Sequence, residues 1–326
     1  MANKTATGRL ILHIGMHKTG STAIQGALSK HRDVLAEYAI DYLDFNANHS
    51  RTVAGLFSHS ARGIYRGFAD EEDRLARGFE QLERLLGDRS HETTVISGER
   101  FSMLKPDEVR VALDWLGRFF DDIRVVAFVR PPRSFLNSMA QQRLKIGRTL
   151  SETVSNPPSP AYRSRFGAYM EYLPAERLAF IPFDSAHLVE GCSVRTLLEW
   201  MGLPGEAVDR IPVDRRNESF SATGVRVFNE LNRRGIDLSD SVRRNRIYRL
   251  LREIDGPKFV LPATVIDACT APFDEDVAWM NGVLGEDIRA HDLTGSAEPG
   301  IEVFDLTEED RMLVETVLAK IERIGV

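Results

Sequence analysis

Short apolar runs alternate with amphipathic segments through the first two thirds of the chain. The runs are rich in Val, Ile, Leu or Phe and are bounded by turn residues, a pattern typical of buried strands. They cover residues 9–15, 93–97, 123–129 and 178–183. Helical periodicity and helix-ending glycines predict helices at residues 22–31, 71–87, 106–120, 133–145, 161–173 and 194–202. This alternation predicts an α/β fold, in which helices flank a parallel sheet on both faces.

The strand pattern ends before about residue 215, and the rest of the chain is mostly helical in character. Loops are predicted near residues 256–262 and 294–302, and a polar, proline-rich loop at residues 151–160. The length of 326 residues fits either two domains or one long α/β domain. We expect a single domain over residues 1–326, with an α/β core at 9–202 and a helical C-terminal part at about 215–326.

Composition excludes several classes of protein. The chain has 42 Lys and Arg against 48 Asp and Glu, a net charge of −6 that argues against a general nucleic-acid binder. Cys192 and Cys269 lie far apart, which favours reduced thiols and a cytoplasmic location over a disulfide framework. No apolar run reaches the roughly 18 residues of a membrane helix, and the first residues do not fit a signal peptide.

A glycine-rich loop follows the first predicted strand. Residues 15–22 are GMHKTGST, close to the phosphate-binding pattern G-x-x-x-x-G-K-[ST], but Ser21 occupies the lysine position and Lys18 lies inside the loop. A strand, loop and helix of this kind direct backbone N–H groups and a helix N-terminus at an anion. We expect Ser21 and Thr22 to cap the helix. The alternative is an ordinary strand-to-helix turn.

A cation and a hydroxyl follow the strand at residues 123–129. Arg130 ends the strand, where a nucleotide triphosphatase would place a magnesium-binding Asp, and Ser138 lies about two turns into the next helix. Ligands bind at the carboxyl ends of strands in open α/β sheets, so the two side chains together suit one phosphate group. Alternatively, Arg130 pairs with a surface carboxylate and Ser138 lies on the helix surface.

Together the two motifs resemble those of sulfotransferases that use 3′-phosphoadenosine 5′-phosphosulfate. HKTGST resembles the family's 5′-phosphosulfate loop, with His17 in place of a proline, and VVAFVRPPRSFLNS resembles its 3′-phosphate motif. The stretch from Tyr162 to Gly202 is similar to a later segment of the family. This resemblance covers roughly residues 9–202 and implies a sulfotransferase fold related to that of P-loop nucleotide triphosphatases.

The resemblance also implies a donor, a product and a set of binding residues. The donor is 3′-phosphoadenosine 5′-phosphosulfate, the product is adenosine 3′,5′-bisphosphate, and no metal is expected. The residues implied for the 5′-phosphosulfate are Lys18, Thr19, Gly20, Ser21 and Thr22, and those for the 3′-phosphate are Arg130 and Ser138. The family's basic loop has no clean match, and its nearest candidates are Arg215, Arg216 and Asn217.

Sulfuryl transfer to an alcohol needs a base for the hydroxyl proton and a cation beside the leaving oxygen. Lys18 suits the cation. Glu99 follows the strand at residues 93–97, and Glu99–Arg100 resembles the glutamate base and adjacent basic residue of carbohydrate-type sulfotransferases. His17 is the rival base, since an imidazole titrates near neutral pH. The alternative for Glu99 and Arg100 is a surface ion pair in a turn.

Arg100 and His49 are the candidate acceptor-binding residues. His49 follows a probable strand, and it is either an acceptor contact or a turn residue. The leading hypothesis is therefore a bacterial cytoplasmic sulfotransferase that acts on a hydroxyl of a glycan or small molecule, with no nucleic-acid or membrane partner. The rival hypotheses are a phosphotransferase of the P-loop kinase type and a non-catalytic nucleotide-binding protein.

Overall fold

The computed structural model describes residues 7–58, 71–213, 219–292 and 304–323. The chain divides into two compact units, each assembled from segments that are separate in sequence. The first unit comprises Met1–Arg130, Ala161–Arg215 and Trp279–Asp287. The second comprises Pro131–Pro160, Arg216–Ala278 and Ile288–Val326.

Five parallel strands of the first unit form one sheet in the order β2-β3-β1-β4-β5. The strands are β1 (Arg9–His13), β2 (Ile40–Tyr42), β3 (Thr93–Ser97), β4 (Asp122–Val129) and β5 (Leu178–Pro182). His13 at the end of β1 pairs in register with Ser97 of β3 on one side and with Val126 of β4 on the other. The predicted α/β class and parallel sheet are confirmed.

Helices connect and cover the strands of the first unit and make up most of the second. Those in the described residues are α1 (Ser21–Lys30), α2 (Arg32–Ala36), α3 (His49–Thr52), α4 (Ala54–Phe57), α5 (Glu71–Gly87), α6 (Pro106–Leu116), α7 (Pro132–Leu144), α8 (Leu150–Ser155), α9 (Tyr162–Tyr172), α10 (Ser193–Trp200), α11 (Gly205–Asp209), α12 (Ala222–Arg233), α13 (Ser241–Arg252), α14 (Ala263–Thr270), α15 (Asp274–Leu284) and α16 (Glu308–Arg323). A short 3₁₀ helix spans Glu99–Met103. No helix in these described ranges has the length and apolar character needed to cross a bilayer.

The predicted loop at residues 151–160 is wrong in its first half, which belongs to α8. Thr149 and Glu152 form a capping box, in which the Thr149 side chain accepts the Glu152 N–H and the Glu152 carboxylate accepts the Thr149 N–H. Two otherwise unpaired donors are satisfied in this way, so a single helical turn or two is stabilised despite a polar sequence. The predicted loop at 256–262 is confirmed, while the one at 294–302 falls outside the described residues.

Helix α1 is fixed to the sheet by its apolar face. Ile24 and Leu28, one turn apart, are fully buried in a cluster that includes Ile11 of β1 and Val126 of β4. Burial of each such side chain contributes about 1.5–3 kcal/mol, so the N-terminus of α1 is held firmly beside the end of β1.

The second unit contains a buried ion pair. Arg226 of α12 donates from Nε to Asp310 of α16 at 2.7 Å, and the two side chains are 8% and 1% exposed. The Asp310 carboxylate also accepts the backbone N–H of Thr307. Removing one partner of such a pair leaves an uncompensated buried charge.

We expect Arg226→Ala to lower the free energy of unfolding by about 3–5 kcal/mol, because Asp310 then remains buried without its partner. Urea denaturation followed by circular dichroism measures this loss. The matched control is Arg311→Ala, which breaks an exposed pair with Glu308 on α16 and should cost less than about 1 kcal/mol. Equal losses for the two variants would contradict the buried pair's importance.

Candidate active site at the carboxyl edge of the sheet

Three strand ends meet at one edge of the sheet. The N–H of Gly98, just past β3, donates to the carbonyl of His13 at 3.0 Å, and the N–H of Ile14 donates to Val126 O of β4 at 3.0 Å. The glycine-rich loop therefore leaves β1 between the segments that follow β3 and β4. This register places the loop between Glu99 on one side and Arg130 on the other.

Three residues of the loop have a positive φ, namely Gly15 at 29°, Lys18 at 66° and Gly20 at 80°. Gly20 is the N-cap of α1, and no side chain caps the helix, so the prediction that Ser21 and Thr22 cap it is wrong. Gly20, as the N-cap residue, has no side chain that could accept an N–H of the first turn. The first N–H groups of α1 therefore point out of the helix without intrahelical acceptors, which suits an anion.

Two buried hydroxyls of the loop have different surroundings. Thr19 Oγ1 donates to the carbonyl of Met16 at 2.7 Å, so this side chain holds the loop in shape. Ser21 Oγ is buried beside the Glu99 carboxylate, whose pKa it helps to lower, and it makes no hydrogen bond of ordinary geometry among the described residues. A buried hydroxyl without such a bond carries a desolvation penalty that a bound oxygen acceptor would remove.

Three contacts hold Arg130 in place, and one of them is with the glycine-rich loop. Its Nη1 donates to the carbonyl oxygen of Lys18. Its guanidinium lies over the ring of Phe183, 5.4 Å from the centroid, and its own carbonyl accepts a hydrogen bond from Tyr162 Oη at 2.5 Å. The cation that the sequence placed at a strand end is thus beside the backbone of the glycine-rich loop.

Ser138 lies in α7 and belongs to the second unit. It is partly buried. The N-terminus of α7 has an acceptor of its own, because Asp292 accepts the N–H groups of Arg133 and Ser134 at 2.6 and 2.9 Å. The three candidates for the basic loop, Arg215, Arg216 and Asn217, lie outside the described residues.

Glu99 and His17 form a hydrogen-bonded pair. The distance between Glu99 Oε2 and His17 Nδ1 is 3.2 Å, and the two side chains are 27% and 37% exposed. Burial acts to raise the pKa of Glu99, but the hydrogen bond and charge of His17, with smaller contributions from Ser21 and His13, outweigh it. The net effect is that the pKa of Glu99 lies below its ordinary value. The carboxylate is therefore ionised at neutral pH and accepts a hydrogen bond from His17 Nδ1–H.

His49 is placed as a structural residue. It is fully buried, its Nε2 lies 3.0 Å from the carbonyl of Leu43, and its Nδ1 accepts the N–H of Ser97 at 3.0 Å. Burial lowers its pKa to about 4, so the ring is neutral. Both ring nitrogens are engaged within the protein, so His49 at the start of α3 is tied to the end of β3 and to the backbone of Leu43.

Helix α9 supplies residues that the sequence did not single out. Tyr169 Oη donates to the carbonyl of Phe101 at 2.8 Å, and Arg165 Nη1 donates to Ser102 Oγ at 3.3 Å. Ser102 Oγ in turn donates to the carbonyl of Glu99 at 2.8 Å. These contacts fix the 3₁₀ helix that carries Glu99. Only an alignment of related sequences could reveal such contacts, through conserved polar positions on α9, and a single sequence does not contain that information.

No protein-family model matches the chain, and no curated protein is similar enough to be identified as a relative.

We expect Gly20→Ala to destabilise the protein by about 1–3 kcal/mol, because an added Cβ would lie 2.4 Å from Ser193 Oγ and the residue has a positive φ. The control is Gly26→Ala in the middle of the same helix, where an added Cβ meets nothing within 4 Å. That variant should stabilise α1 by about 0.5–1 kcal/mol. Thermal and urea unfolding of both proteins measure these changes, and a shift of the same sign in both would contradict the loop geometry.

Proposed function

We propose that the protein is a sulfotransferase that moves a sulfuryl group from 3′-phosphoadenosine 5′-phosphosulfate to an acceptor hydroxyl, such as that of a carbohydrate. One observation carries the proposal. The glycine-rich loop lies between a cation anchored to it, Arg130, and an ionised carboxylate paired with it, Glu99. Donor-binding groups and a base thus share one edge of the sheet.

The loop residues fit the phosphosulfate end of the donor. The uncapped N–H groups at the start of α1, the Ser21 hydroxyl and the Lys18 ammonium are all suited to oxygen acceptors that carry negative charge. Thr19 contributes through its backbone, since its hydroxyl is engaged with Met16. Arg130, at the end of the neighbouring strand, suits the 3′-phosphate.

In the proposed reaction, Glu99 takes the proton of the acceptor hydroxyl. A bond forms between the acceptor oxygen and sulfur while the bond from sulfur to the bridging phosphate oxygen breaks. The electron pair of the broken bond remains on the phosphate oxygen of adenosine 3′,5′-bisphosphate. Lys18 and the N–H groups of the loop stabilise the charge that develops there.

Glu99 is favoured over His17 as the base. Its carboxylate is ionised at neutral pH. The 3₁₀ helix that carries Glu99 is held by the hydrogen bonds from Ser102 to the Glu99 carbonyl and from Tyr169 to the Phe101 carbonyl. His17 Nδ1–H donates a hydrogen bond to the Glu99 carboxylate and so orients it. A base whose position is fixed loses little entropy when it meets the acceptor proton.

Calorimetric titration with adenosine 3′,5′-bisphosphate tests the donor site. We expect Lys18→Ala and Arg130→Ala each to weaken binding about tenfold or more, because each removes a charge-assisted contact to phosphate. Lys30→Ala, an exposed residue in the last turn of α1, is the matched control and should bind normally. Unchanged binding in the first two variants would refute the donor site. Selective stabilisation by ATP with magnesium would favour a kinase instead.

The same titration, combined with an assay of sulfate transfer, separates binding from turnover in Glu99→Gln. We expect this variant to bind adenosine 3′,5′-bisphosphate as the wild type does and to lose about 10²- to 10⁴-fold in transfer of labelled sulfate to an acceptor. A glutamine is nearly isosteric but cannot accept a proton. Full activity of this variant would remove Glu99 from the mechanism.

The pH profile distinguishes Glu99 from His17. The activity kcat/KM of the wild type should fall only as the pH drops through the lowered pKa of Glu99, because the base works in its ionised form. In His17→Ala the main influences that lower this pKa are gone, so burial dominates and the acidic limb should move to higher pH. A loss of turnover as deep as that of Glu99→Gln would instead make His17 the base.

A further inference from the structure

Among the residues that the structure describes, no carboxylate pairs with the side chain of Arg100. It follows Glu99 on the 3₁₀ helix, and its backbone N–H donates to Ser50 Oγ at 3.4 Å. The side chain is partly buried, and in the ranges that the structure describes its guanidinium makes no hydrogen bond or ion pair. Other arginines of the same unit, such as Arg195 and Arg210, pair with carboxylates at 2.6 Å.

A partly buried guanidinium without an acceptor is unfavourable, because its five N–H donors lose water and gain nothing in return. Arg165 adds positive charge nearby, since its Nη1 contacts Ser102 on the same 3₁₀ helix. The segment that carries the proposed base therefore suits an anion that the described residues do not supply.

The sheet order indicates which substrate brings that anion. Arg130 follows β4 and Arg100 follows β3, and β1 lies between these two strands. With a strand spacing near 4.8 Å, the ends of β3 and β4 are about 10 Å apart. Lys18 and Arg130 serve the donor on the β1 and β4 side, whereas the acceptor must reach Glu99 on the β3 side.

We propose that the acceptor is itself an anion, an alcohol with a carboxylate or sulfate group that Arg100 binds while Glu99 takes the hydroxyl proton. This inference rests on the proposed function. Adjacent Cα atoms are about 3.8 Å apart, so the anionic group and the reacting hydroxyl belong to the same or to neighbouring parts of the acceptor. The planar guanidinium matches the paired oxygens of either group.

The test compares acceptors in matched pairs, each consisting of an acidic compound and its methyl ester or carboxyl-reduced form. The compounds are uronic-acid glycosides, hydroxy acids and glycans. Transfer of labelled sulfate is measured for the wild type and for Arg100→Gln. We expect the wild type to prefer the acidic member by at least about tenfold in kcat/KM. Arg100→Gln should lose about ten- to a hundredfold on acidic acceptors only.

Two controls keep the result specific to the acceptor. Arg163→Gln removes an exposed charge from α9 and should leave the preference intact, and Arg100→Gln should bind adenosine 3′,5′-bisphosphate as the wild type does. The inference is overturned by equal use of both members, by an unchanged preference in Arg100→Gln, by weakened donor binding in that variant, or by a panel without turnover in a protein that binds the bisphosphate. Failure of the wild type to bind the bisphosphate refutes the proposed function instead.

Discussion

The parallel pairing of β1 with β3 on one side and β4 on the other is the constraint from which the candidate site follows. Parallel strands end at the same edge, and the register aligns His13 with Ser97 and with Val126. The segments that follow these three strands must therefore begin side by side. A slip of this register would separate Glu99 from the loop that carries its partner His17.

Strand pairing alone does not fix the side chains, and α9 supplies the additional constraint. Tyr162, Arg165 and Tyr169 recur at the spacing of one helix face and reach the backbone of Arg130, the Ser102 side chain and the backbone of Phe101. One helix thus holds the segment after β4 and the segment after β3 at once. The rigidity of α9 therefore sets the separation of Arg130 from the segment that carries Glu99.

The sequence predicted the elements that depend on local pattern. The apolar run TTVIS gave the bounds of β3 correctly, and the glycines around Lys18 indicated a tight loop before a helix. It failed where tertiary contacts decide. Burial of His49 depends on the Ser97 N–H and the Leu43 carbonyl, and the support of Ser102 by Arg165 joins residues 63 positions apart. Neither contact leaves a periodic signal in one sequence.

The charge at this edge of the sheet does not come from its two buried histidines. His13 and His49 are buried, and burial lowers the pKa of each to about 4, so these rings stay neutral at physiological pH and add no charge. The positive charge at this edge is carried by Lys18, Arg100, Arg130 and Arg165. Glu99 and His17 form the hydrogen-bonded pair that couples the glycine-rich loop to the segment after β3.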